Sequence, residues 1–185
     1  MNMKIKLEKK NLLVNTDGKR VLFHKEGKFN TTDYASVVNI GDIVQPDNNV
    51  MSAPGEYEIE DILFSIFAYG DNLDHPDIIF LDSNENIRIL YLLSHVDNLD
   101  KSIIEKLPDV NILIAEIEDS KLDKKLQIVS DIEPDIFVPL VDKSKLEDIK
   151  KALGVANIES VPTLNVAQKD FDSESSELLV YLLNN

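Results

Sequence analysis

Residues 52–59 read Ser52-Ala53-Pro54-Gly55-Glu56-Tyr57-Glu58-Ile59 and run into the apolar stretch 62–67. Pro54 fixes φ and Gly55 tolerates positive φ, so the pair predicts a tight turn feeding a strand that alternates through Tyr57 and Ile59. Upstream, 4–7, 11–14 and 20–24 read as short strands, the last two joined by the turn signal Asn15-Thr16-Asp17-Gly18. A fourth apolar run covers 36–40, and 42–49 is a loop rich in Asp, Asn and Pro. Downstream, 56–69 predicts one long strand or a pair, followed by strands at 77–82 and 87–93.

The second half changes period. Leu99, Ile103, Ile104 and Leu107 fall at helical spacing, and 110–115 is a continuous apolar run of the buried-strand kind. The pattern repeats with a helix at 121–132, whose apolar face is Leu122, Leu126, Ile128 and Val129, and a strand at 135–141. A third helix at 145–153 ends on Gly154, and strands at 164–167 and 178–183 close the chain. Alternating helix and strand after a β-rich half predicts an α/β (α+β) chain: an αββα sandwich, two sheets face to face with helices outside, as one domain over 1–185.

The chain carries 19 basic and 34 acidic side chains, a net charge of −15. That surface repels phosphate backbones and anionic lipid, which argues against nucleic-acid and membrane partners. Residues 1–10 hold four lysines and no apolar core, unlike a secretory leader, so a cytoplasmic location is expected. With no cysteine there is no disulfide, thiolate ligand or thiol nucleophile. A metal would need His, Asp or Glu, and the only histidines are His24, His75 and His95.

The chain resembles the UlaG-like, zinc-dependent hydrolase branch of the metallo-β-lactamase fold. The resemblance rests on Pro54-Gly55-Glu56-Tyr57, on Asn86-Ile87-Arg88-Ile89, and on the segment Asp131-Ile132-Glu133-Pro134-Asp135-Ile136-Phe137-Val138-Pro139. The helix ending at Gly154 and Leu164-Asn165-Val166 match in order and spacing. The resemblance implies a fold in which zinc-bound water attacks a substrate at one edge of the sandwich, with imidazoles and carboxylates as ligands. Those ligands are missing. The positions of the family's His-x-His-x-Asp-His loop hold Asp42, Val44, Pro46 and Asp47, and the loop is short. Its bridging aspartate aligns with Ser94 and its terminal histidine with Val141. An early Asp-Pro of the family appears here as His24-Lys25.

The leading expectation is therefore a metal-free, non-catalytic protein of this fold with no cofactor. It would act as a binding or assembly subunit whose partner is a second copy or a metal-bearing relative. One alternative is a divergent phosphoester or small-ester hydrolase holding one zinc or manganese ion on His95 and Asp97 with Asp42 or Asp47. Another is a small-ligand module in the vestigial groove, with a pocket near Ser94 and Val141. The structural expectations are an N-cap role for Asp97 before the Leu99 helix, a solvated strand-end role for His24, a structural role for His75 in a polar turn, and solvent-facing or edge-protecting acidic stripes at Glu56/Glu58 and Glu116/Glu118. Val44 and Val141 are expected to help close the groove by apolar packing. Ser94 and His95, adjacent in an extended chain, point to opposite faces and form no nucleophile–base pair.

Overall fold

The computed structural model describes residues 2–41, 44–83, 85–171 and 177–184. Strands β1 (Met3–Glu8), β2 (Asn11–Thr16), β3 (Lys19–His24), β4 (Ser36–Asn39) and β5 (Val50–Met51) come first. Next are β6 (Gly55–Ile59), β7 (Ile62–Phe67), β8 (Ile78–Asp82) and β9 (Arg88–Leu92). Helices then alternate with strands: α1 (Lys101–Ile104), β10 (Ile112–Glu116), α2 (Leu122–Ile132), β11 (Ile136–Leu140) and α3 (Leu146–Leu153). Strands β12 (Glu159–Val161), β13 (Leu164–Val166) and β14 (Leu179–Leu183) finish the order.

One sheet runs β13-β1-β2-β3-β4-β5 and the other β12-β14-β11-β10-β9-β8-β7-β6. Among the tight hairpins that set the registers, two have positive φ at both turn residues. Asp17 and Gly18 take φ of 50° and 75° between Thr16 and its partner Lys19. Glu60 and Asp61 take φ of 50° and 62° between Ile59 and Ile62, so the 56–69 stretch is a pair of strands. Both are two-residue turns whose positive φ matches strand twist. At the Pro54-Gly55 entry, the Tyr57 hydroxyl donates to the Ala53 carbonyl at 2.9 Å and locks the turn.

Alternation sorts side chains to two faces. Met3, Ile5, Val14, Val21 and Phe23 of the first sheet meet Ile62, Phe64, Leu81, Ile89, Ile112 and Val138 of the second in a shared inner core. The second sheet's outer residues, among them Leu90, Leu113 and Phe137, pack under Leu126 and Val129 of α2 and Ile149 of α3. All three helices therefore lie against the second sheet. The first sheet's outward Leu13, Leu22 and Val37 are buried all the same.

Three sequence expectations change in detail. The 99–107 helix contracts to the single turn α1, capped by Asp100 rather than Asp97. Strands β5 and β12 were missed, because one is two residues long and the other reads Glu159-Ser160-Val161, with little apolar signal. Gly154 does terminate α3, at φ 67°. No helix among the described residues is long and apolar enough to cross a membrane.

Candidate functional site

Strands β9, β10 and β11 are parallel, so their carboxyl ends reach one edge of the second sheet. Strand β8 is antiparallel to β9 and brings Asp77, just before its first residue, to the same edge. In the first sheet β3 and β4 run parallel and end there at His24 and Asn39. Open α/β sheets gather ligands at such carboxyl edges. Here the edge carries two buried carboxylates, Glu116 and Asp77.

Glu116, 9% exposed, ends β10 facing the inner groove. Its oxygens accept from Lys25 Nζ at 2.7 and 2.8 Å, and Oε1 also accepts from the Tyr91 hydroxyl at 2.6 Å. Lys25 follows β3, so this ion pair ties one sheet to the other. Burial, then the Glu116 charge, pushes the Tyr91 phenol well above its usual range. On the helix side Lys125 is 1% exposed and donates to the Leu93 carbonyl at 2.6 Å. Burial lowers its ammonium to about 8, against the opposing pull of Glu116. A hollow of about 270 Å³ remains, lined by Lys25, Ser94, Glu116, Ile117 and Leu140 among others.

Asp77, 1% exposed, sits at the rim. Its Oδ1 accepts from His75 Nδ1 at 2.5 Å and His95 Nε2 at 2.9 Å, while Oδ2 accepts from the Tyr69 backbone N–H at 2.7 Å. The two imidazole rings stand 6.2 Å apart, edge to face. Beside them, Asp97 accepts from the Tyr69 hydroxyl and from Lys124 Nζ, each at 2.5 Å. Those two bonds, Lys124 first, hold its carboxyl down at about 2. Glu118 is likewise lowered, by a bond from Ser94 and then by Lys121.

The residues singled out from sequence are scattered by this geometry. Asp42 lies outside the described residues. Val44 is half-buried, and Pro46 and Asp47 are exposed. Asp47 accepts from the Thr31 hydroxyl at 2.7 Å, and Val50, which follows it into β5, pairs with Val37 at the start of β4. Asp47 is thus at the opposite edge from Ser94 and cannot share an ion with it. Ser94 does line the groove, whereas Val141 packs into the helix-side cluster. His95 and Asp97 diverge, one turned to Asp77 and the other to Tyr69 and Lys124.

The bland readings also need correction. His24 is 1% exposed, donates from Nε2 to the Gly27 carbonyl at 3.0 Å and packs against Phe29 with ring centroids 4.5 Å apart and tilted by 47°. His75 keeps a structural role as a partner of Asp77, whereas Glu116 is no solvent-facing stripe because Lys25 and Tyr91 reach it from inside. The groove is bridged by that ion pair rather than by Val44 and Val141. Asp77, Lys25 and Lys125 were missed as site residues, and Glu116 was read as part of an acidic stripe. The available signal was positional: charged residues at the ends of apolar runs that the β/α order brings to one edge.

Zinc, which the fold implies, does not fit the groove. Among the described residues its lining holds one carboxylate, already bonded three times, and Lys25 brings a positive charge where an ion would sit. Among the described residues no three His, Asp or Glu side chains stand around a gap that accepts a metal ion.

No family model and no curated protein matches the sequence. Solved structures do match. A candidate zinc-dependent hydrolase of the metallo-β-lactamase superfamily from Thermotoga maritima aligns over 98% of this chain and 100% of its own, with TM-score 0.72 and 14% identity. A metallo hydrolase from Ignicoccus hospitalis aligns over 90% of this chain and 99% of its own, with TM-score 0.60 and 10% identity. An isothiocyanate hydrolase from Delia radicum gut bacteria gives the same coverages, with TM-score 0.56 and 12% identity. At these identities the likeness speaks for architecture: the chain has the metallo-β-lactamase fold.

Proposed function

We propose that this protein is a non-catalytic form of the metallo-β-lactamase fold, with a groove that works without metal, and that it serves as a binding or assembly subunit. The observation that supports this reading most directly is the Lys25–Glu116 bridge. It places an ammonium between the sheets, and a divalent ion a few ångströms away would be repelled by it. The reading is also supported by Ser94, Leu140 and Val141, which offer neither imidazole nor carboxylate. The partner is a protein, either a second copy or a metal-bearing relative.

Hydrolysis of phosphomonoesters, phosphodiesters and small esters, assayed with zinc and manganese added, tests the reading together with sedimentation velocity. The expected result is no turnover above buffer and a species heavier than the 20.9 kDa monomer, alone or with the relative. Metal-dependent turnover that disappears in Glu116→Gln would overturn it. A second reading, a small-ligand module, would use the hollow beside Ser94. At about 270 Å³ it falls just below the size of ordinary ligand pockets, roughly 300 Å³ upward, and Val141 is absent from its lining.

A further inference from the structure

Where no helix covers them, the outer faces of the two sheets carry opposite charge. On the first sheet Lys4, Lys6, Leu13, Asn15 and Arg20 line, with Thr163, a hollow of about 360 Å³. This lining holds three cations and no carboxylate, in a chain whose net charge is −15. Strand pairing sets the residues side by side: Lys4 opposite Asn15, Asn15 opposite Arg20, and Lys6 opposite Leu13. Arg20 is positioned by a bond to the Asp33 carbonyl at 3.3 Å and by the Tyr34 ring, 4.7 Å away. Lys4 is exposed and has no acidic partner among the described residues, and Lys6 meets only the exposed Glu8, a pair that water weakens. Leu13, 4% exposed, gives the hollow an apolar floor. On the second sheet the helices cover β9 to β11 and stop short of Leu63, which is 50% exposed on β7. Glu58 and Asp82 stand opposite Leu63 on the flanking strands, and Glu56 shares their face of the sheet. Glu56 and Glu58 are exposed and have no cationic partner among the described residues.

We propose that Leu63 of one copy docks in the Lys4–Arg20 hollow of a second copy, with Glu56 and Glu58 paired to Lys4, Lys6 and Arg20. This names the partner within the assembly reading above and rests on it. Complementarity carries the choice of occupant: a basic hollow with an apolar floor matches an apolar knob ringed by carboxylates. The spacing matches too, since Lys4 and Lys6, like Glu56 and Glu58, stand two residues apart on one face of a strand, about 7 Å. Two copies cannot pair as comfortably through β6 itself. In an antiparallel pair centred on Tyr57, Glu56 of each copy would face Glu58 of the other, like charge against like. The net charge opposes approach from a distance, but at physiological salt charges more than about 8 Å apart are largely screened, so the match at contact decides. Knob and hollow are different patches, so the contact is heterologous and adds copies head to tail.

The test is a charge swap read by sedimentation velocity, on wild type, Lys4→Glu/Lys6→Glu, Glu56→Lys/Glu58→Lys, and an equimolar mixture of the two variants. Circular dichroism confirms that each is folded. Wild type is expected to sediment as multiples of 20.9 kDa and each variant alone as the monomer. The mixture is expected to return to multiples, because the reversed hollow of one variant fits the reversed knob of the other. Variants that assemble as wild type does, or a mixture that stays monomeric, overturn the proposal and leave the assembly reading standing on another surface. A monomeric wild type overturns it as well and leaves a metal-bearing relative as the partner. Metal-dependent turnover in the esterase assays overturns the non-catalytic reading alone, since the docking is read from mass.

Discussion

Glu116 and Asp77 sit at the same edge of one sheet, at the end of β10 and the head of β8, two strands and so roughly 10 Å apart. Both are buried and both are neutralised, by different means. Glu116 is met by a lysine from the opposite sheet and by a phenol, with a second lysine nearby, so its charge is balanced by groups that also hold the sheets together. Asp77 is met by two imidazoles on surface segments and by one backbone N–H. The difference separates two uses of a buried charge: one carboxylate joins the two sheets, while the other joins two surface segments at the edge of one sheet.

The largest effect is expected at Asp77. Asp77→Ala strands the Tyr69 N–H and both imidazoles, so a loss of about 3 kcal/mol in urea unfolding is expected; a loss under about 1 kcal/mol would show that the rim network carries no structural weight. Lys125 sharpens the contrast through pH. Its folded value near 8 lies below the usual 10.5, so between those pH values the unfolded chain holds more protons and stability rises with pH. Relative to Lys125→Met, wild type should gain up to about 3 kcal/mol on going from pH 8 to pH 10.5; equal pH slopes would mean the amine is hydrated. Lys25→Met should cost less, about 1–2 kcal/mol, because the lysine side chain is 37% exposed. A loss as large as that of Asp77→Ala would erase the distinction drawn above. Smallest is the Asp97–Lys124 pair. Asp97 titrates low, so its contribution is present above about pH 4 and fades toward pH 2; Lys124→Ala should move the acid-unfolding midpoint slightly upward.

Much of the architecture was legible because it rests on local chemistry. Asp17-Gly18 demanded a hairpin, Gly154 a helix end, and the continuous run through Ile112 and Ile114 a strand covered on both faces. The site was less legible for a physical reason. Periodicity reports which face a side chain takes, and says nothing of which distant charge meets it. Glu116 and Glu118 look alike in sequence, yet one meets Lys25, 91 residues away, and the other the half-buried Ser94. Lys125 sits between Leu122 and Leu126 on an apolar stripe, and its burial follows from the Leu93 carbonyl waiting at the end of β9. His24 read as solvated because the Gly27 and Phe29 loop that covers it has no periodic signature.

The first strand has its last partner far along the chain: Met3 pairs with Val166 in β13. A ribosome adding roughly 5–20 residues per second takes about ten to thirty seconds to deliver that partner after β1 emerges. Strands β1 to β5 can pair with each other in the meantime, but the apolar side built from Met3, Ile5, Val14 and Phe23 has no second sheet to cover it until β6 to β11 follow. The nascent chain therefore spends its synthesis with a sticky half-sandwich, and its accumulating carboxylates repel neighbouring chains on the same message during that interval.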